Sequence, residues 1–150
     1  MSPNQWGPPT WIFMHTLAEK IKEESFPIIG QQMISNIINI CYNLPCPDCS
    51  EHSKIFWSKV KIDNVKTKQD LINLLFVFHN SVNKRKKQYM FKHESLQYYK
   101  SKNMVETFNN FSRIFNTKGN MKLLSESFHR TRLLSYLRSW VIGNIMHFHQ

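Results

Sequence analysis

Apolar residues recur at intervals of three and four along nearly the whole chain, which predicts helices throughout. Trp11, Met14, His15, Ala18 and Ile21 follow the turn signal Gly7-Pro8-Pro9-Thr10 and mark a first helix, which Pro27 and Gly30 are expected to close. Met33, Ile34, Ile37, Ile38, Cys41 and Leu44 form the stripe of a second, from about residue 31 to 43, broken by Pro45. A short amphipathic segment occupies residues 50–60, and residues 61–68 are polar enough for a loop. Thr67 or Asp70 can cap the next helix. That helix carries Leu71, Leu74, Leu75, Phe78 and Val82 on one face and Phe76, His79, Asn80 and Asn83 on its neighbour. Met104, Phe108, Phe111 and Phe115 predict another helix, residues 117–120 a turn, and Leu134, Leu137, Val141 and Ile145 a last helix from about Ser125. No strand alternation is visible. The expected class is all-α, with a helical extension at the C-terminal end.

Composition sharpens this only slightly. The chain has 150 residues with 41% hydrophobic and 13% aromatic side chains, enough for a real core without disulfide staples. Four glycines and six prolines are too few for a turn-rich β fold. The net charge of +10 would suit an anionic partner. However, the basic residues are spread over the whole chain, and the heavy use of Lys, Asn, Ile and Phe fits an AT-rich genome. Both observations argue against a dedicated nucleic-acid surface. The first ten residues show no secretory signal, and no stretch approaches a membrane span. We therefore expect a protein that is neither secreted nor inserted in a membrane.

The three cysteines cannot build a disulfide framework. Cys46-Pro47-Asp48-Cys49 is the sharpest chemical feature. Two cysteines three apart at a helix start can close a disulfide, and the N–H groups of that end favour a thiolate on the first. Three readings compete. One is a redox pair. Another is part of a zinc site, since His52 extends the pattern, in a helical module whose basic surface binds nucleic acid. The third is chance. The helical flanks do not suit a thioredoxin-like βαβ unit. Cys41 lies on an apolar stripe and reads as a buried structural thiol.

A helical redox pair needs an electron acceptor. His79, Asn80, Val82 and Asn83 share a helix that closes on the basic run Lys84-Arg85-Lys86-Lys87. A His and an Asn on one turn can grip a base edge, while Lys84 or Arg85 can meet phosphates. Trp11 and His15, on a different helix, offer a stacking plane and a polar partner. Each alone is more simply a core or surface residue; together they suggest a nucleotide site.

The ordered set Trp6-Gly7-Pro8, Trp11, His15, then Pro45-Cys46-x-x-Cys49-x-x-His52, then His79-Asn80-x-Val82-Asn83 resembles the ALR-type FAD-linked sulfhydryl oxidases, most of all their virally encoded branch. The resemblance spans about residues 6–91. It implies a four-helix bundle with a short fifth helix, holding FAD and forming a homodimer. On this likeness residues 1–103 are the oxidase domain, and residues 104–150 are a helical extension of unassigned role. Cys46 would exchange with substrate and Cys49 would face the flavin. The cofactor-binding set implied is Gly7, Pro8, Trp11, His15, His52, His79, Asn80, Val82, Asn83 and Lys84, with no metal. Substrates would be dithiol proteins, reached directly or through a thioredoxin-like carrier, with molecular oxygen as final acceptor and hydrogen peroxide as product. The expected location is the cytoplasm of an infected cell or the virion. Where the family often has a Leu-Gly-Lys-Pro-like turn, this chain has Lys86-Lys87-Gln88-Tyr89.

Overall fold

A computed structural model describes residues 3–116 and 124–150, with side chains described outside 124–127. Seven α-helices appear among the described residues, and only an isolated bridge between Ile21 and Phe148 departs from the all-α class. They are α1 (Pro3–Lys20), α2 (Phe26–Tyr42), α3 (Pro47–Ser58), α4 (Lys68–Arg85), α5 (Gln97–Lys100), α6 (Met104–Phe115) and α7 (Leu124–Gly143). The expected turn at 117–120 lies outside the described residues. No described helix is long and apolar enough to cross a membrane.

Two helix starts differ from the sequence reading. The helix α1 begins at Pro3 and runs through Pro8 and Pro9, which were expected to precede it. Each proline removes one backbone donor; just beyond them Thr10 Oγ1 donates to the Trp6 carbonyl at 2.6 Å. Pro27 and Gly30 do not end a helix; they lie in the first turns of α2. Proline fits there because no donor is lost. Gly30 is required by packing, since a Cβ would sit 2.9 Å from the Phe26 ring.

The other starts follow local chemistry. Cys46 caps α3, accepting the Cys49 N–H at 3.3 Å, and Pro47 occupies the first turn. At α4, Thr67 and Asp70 both cap, as a reciprocal box: Asp70 N–H donates to Thr67 Oγ1 and Thr67 N–H donates to Asp70 Oδ2. Asn103 caps α6.

One hydrophobic cluster runs from α1 to the C-terminal residues. The predicted phenylalanine stripe of α6 lies on α1: Phe111 stacks on Phe13 at 4.8 Å and Phe108 meets the same ring edge-on at 5.4 Å. The chain after α7 returns to the end of α1, where Lys22 N–H donates to the His147 carbonyl and His149 N–H to the Lys20 carbonyl. Trp140 of α7 donates its indole N–H to Gln32 of α2.

Candidate active site

The α1, α3 and α4 helices converge around a cavity of about 240 Å³. Cys49 stands in its wall, with Trp11, Phe56 and Phe78 giving apolar sides and Arg85 and Lys86 giving positive charge. A second cavity, of about 390 Å³, is lined by Pro8, His79, Asn83, Tyr98 and Tyr99. The two share Gly7, Trp11, Val82 and Lys86, so they form adjoining compartments of one cleft. Gly7 stands at the shared wall with open space beside it, since an added Cβ there would meet no heavy atom within 4 Å. Trp6 also lines the first compartment, and its buried indole N–H has no partner in this structure. A bound polar group would satisfy it.

The sulfurs differ in placement. Cys46 is half-buried at the helix cap and lines neither compartment, whereas Cys49 is buried and does. Burial and the adjacent Cys46 push the Cys49 thiol up, while Lys86 and Arg85 pull against them. His52 sits in the same wall as Cys49. Among the described residues no three His, Cys, Asp or Glu side chains converge in a metal-binding group, so the zinc reading finds no support. Cys41 is fully buried 3.8 Å from Met14 Sδ, with its thiol pushed up to about 12 by burial, and it forms part of the cavity floor.

His15 and His79 come together although 64 residues separate them: His15 Nε2 and His79 Nδ1 share a hydrogen bond of 2.9 Å. Trp11 stacks on His79 at 3.9 Å and 6°, so an additional ring would lie beside this pair and not between its members. His15 is buried behind His79 against Tyr99 and lines neither compartment. Like His15, two more of the expected cofactor contacts, Asn80 and Lys84, line neither compartment. Asn80 spends its amide on a clamp, donating to the Phe91 carbonyl at 2.9 Å and accepting the Phe91 N–H at 2.6 Å. Asn80 and Lys84 both line an open groove with Val77 and Met90, which meets the first compartment at Ser81 and Arg85. Arg85, Lys86, Tyr98 and Tyr99 take part instead. The departure from the family turn also has a physical expression. Lys87, where that turn has glycine, sits at φ 56°, a left-handed conformation glycine adopts more cheaply.

The histidine pair gives the fold a pH dependence. Burial pushes His15 down to about 3, helped by His79, and His79 down to about 4. Both therefore stay neutral in the folded chain while the unfolded chain takes up protons near 6.5. Stability from this source is complete above pH 6.5 and declines as the pH falls toward these folded values, by up to about 1.4 kcal/mol per pH unit per group. We expect the melting temperature to fall between pH 6.5 and 4, and His15→Gln to flatten that slope. An equally steep decline in the variant would show that other groups set it.

Residues 8–103 match the Erv1/Alr family. The chain belongs to that family. A protein of Invertebrate iridescent virus 6, named as a FAD-linked sulfhydryl oxidase, is 30% identical over 91 residues, covering 57% of this chain and 82% of that protein. One of Invertebrate iridescent virus 3, similarly named, is 31% identical over 88 residues, covering 57% of this chain and 58% of its own length. The FAD-linked sulfhydryl oxidase of African swine fever virus (isolate Pig/Kenya/KEN-50/1950) is 30% identical over 80 residues, covering 53% and 66%. No solved structure matches.

Proposed function

We propose that this Erv1/Alr protein is a FAD-linked thiol oxidase that forms disulfide bonds in dithiol protein substrates. The observation that carries the reading is Cys49 in the wall of an aromatic cleft, with Cys46 one helical turn away and outside it. The cleft fits the cofactor. Its first compartment offers apolar ring faces beside the sulfur, and Lys86 stands at the junction with the second, where Trp11 and His79 present aromatic surface. Trp6 supplies a buried donor with no partner of its own.

In this mechanism a substrate thiolate attacks Cys46 in the oxidised pair, forming a mixed disulfide and releasing Cys49 as thiolate. A second substrate thiolate resolves the mixed disulfide, which leaves the substrate oxidised and both cysteines reduced. The cleft residues would hold FAD, which when bound would supply a two-electron acceptor for the reduced pair and a route for those electrons to molecular oxygen as hydrogen peroxide. The cleft residues orient and exclude water; Cys46 and Cys49 carry the exchange. A thioredoxin-like carrier is one form the substrate takes, and the functional unit is a homodimer.

Purified full-length protein is expected to be yellow, to release about one FAD per chain on denaturation, and to consume oxygen with a small dithiol. A folded, colourless, thiol-inert protein would overturn the proposal.

A further inference from the structure

The four cations that close α4 do not face one way. Lys84 lines only the outer groove. Arg85 lines both that groove and the Cys49 compartment, and its positive charge pulls the Cys49 thiol down. Lys86 lines both compartments of the cleft. We propose that Arg85 and Lys86 form a cationic cradle for the Cys49 sulfur, so that their first task is to hold a thiolate and not to bind the cofactor's phosphates. The purpose of this cradle rests on the thiol oxidase reading; its geometry belongs to the chain alone.

The need for it is physical. Only the thiolate is a good electron donor, and a thiol taken out of water resists ionisation. Cys49 is buried and has a second sulfur beside it, and both oppose its charge. An opposite charge within a few ångströms favours the ionised form. Arg85 brings a guanidinium that is always charged and can donate directly to sulfur. Lys86 adds a point charge from the same helix end.

The other ionisable groups around this compartment do not replace them. From α3 and its two caps come Cys46, His52 and Lys59, and from α2 comes Cys41, which burial keeps protonated. The α1 residues in the wall are Trp6, Gly7, Thr10, Trp11 and Met14, none of them charged. His52 and Lys59 are exposed, as is Arg85, so water screens all three; Lys86 is half-buried and is screened least, and Arg85 differs from the other two in acting on the Cys49 sulfur.

The test uses the full chain with Cys46→Ser, which leaves Cys49 as the reactive sulfur. Its alkylation by iodoacetamide is followed across pH by mass spectrometry, in parallel with the visible spectrum of the flavin. Arg85→Gln and Lys86→Gln should each slow alkylation near neutral pH by several-fold. The double variant should slow it about tenfold and move the profile to higher pH. Arg85→Lys should recover much of the rate. Lys54→Gln, which removes one exposed charge on α3 paired with Glu51, should change nothing. An unchanged profile in the double variant overturns the cradle, and does so whether or not flavin is lost, since flavin loss alone would assign both residues to the phosphates. A chain that never carries flavin refutes the oxidase reading instead, while the alkylation profile still decides this inference.

Discussion

Replacing Cys46 by serine should stop dithiol turnover and give the flavoprotein a broad long-wavelength absorption band, whereas replacing Cys49 by serine should stop turnover without that band. The structure supplies the asymmetry. Cys49 lines the compartment with Trp11, Phe56 and Phe78, and Cys46 does not. A lone Cys49 thiolate in contact with an oxidised flavin can donate charge into it. A lone Cys46 thiolate lies outside the cleft at the cap of α3. Turnover should fall by at least about a thousandfold in each variant, and the double variant should be no worse, because the pair acts as a unit. The band should fade as acid protonates Cys49. Burial is the larger upward push on that thiol and stays in the variant, while the push from Cys46 is removed, so the band should strengthen as the pH rises toward the alkaline side. Cys49→Ser keeps the more accessible sulfur and should still trap a mixed disulfide with an activated substrate. Spectra recorded across pH on both variants decide the assignment. Identical spectra, or a band in Cys49→Ser alone, would reverse the roles of the two cysteines.

Much of this site was legible because helical periodicity and short-range spacing carry it. The stripe of α4 and the capping pair Thr67 and Asp70 are local features, and each was readable from a few residues. The structure departs from the sequence pattern where neighbours in space decide. Pro8-Pro9 reads as a break because each proline removes a donor, yet α1 continues through them. Asn80 offers the same donor and acceptor whether it meets a nucleotide or the backbone of Phe91, and only the path of residues 86–91 settles which. Tyr98 and Tyr99 come from a short helix whose periodicity is too weak to assign. The spacing of α1 places His15 on a face and that of α4 places His79 on another, but nothing in either helix says that the two faces meet. The basic run shows the same limit in miniature: four adjacent cations look equivalent in sequence, and the helix end turns them to different sides.

Ending the chain at Asn103 should unfold it, although the family match also ends there. The boundary is one of family likeness and does not coincide with a gap in packing. Phe108, Phe111 and Phe115 of α6 are almost wholly buried, and the first two close over Phe13 of α1. Burying a phenylalanine side chain contributes about 1.5–3 kcal/mol. Three of them amount to roughly 5–9 kcal/mol, comparable with the whole stability of an ordinary domain. The truncation also strips a cation of a partner. Lys20 is buried at the end of α1, and its ammonium donates to the carbonyls of Lys100 and Gln150. Because deletion removes many contacts at once, the sharper measurement is Phe111→Ala in the full chain. It should cost about 3–5 kcal/mol, since the ring is fully enclosed and its cavity cannot collapse without moving α6 from α1. Urea unfolding followed by circular dichroism reads both changes. A shortened chain that melts as the full one does, together with a Phe111→Ala loss below about 1 kcal/mol, would mean that α6 rests on the bundle without helping to hold it. With α6 as part of the core, losing it should also disturb the cleft, because the face of α1 opposite Phe13 carries Trp11 and His15. Flavin loss should then accompany unfolding along one transition.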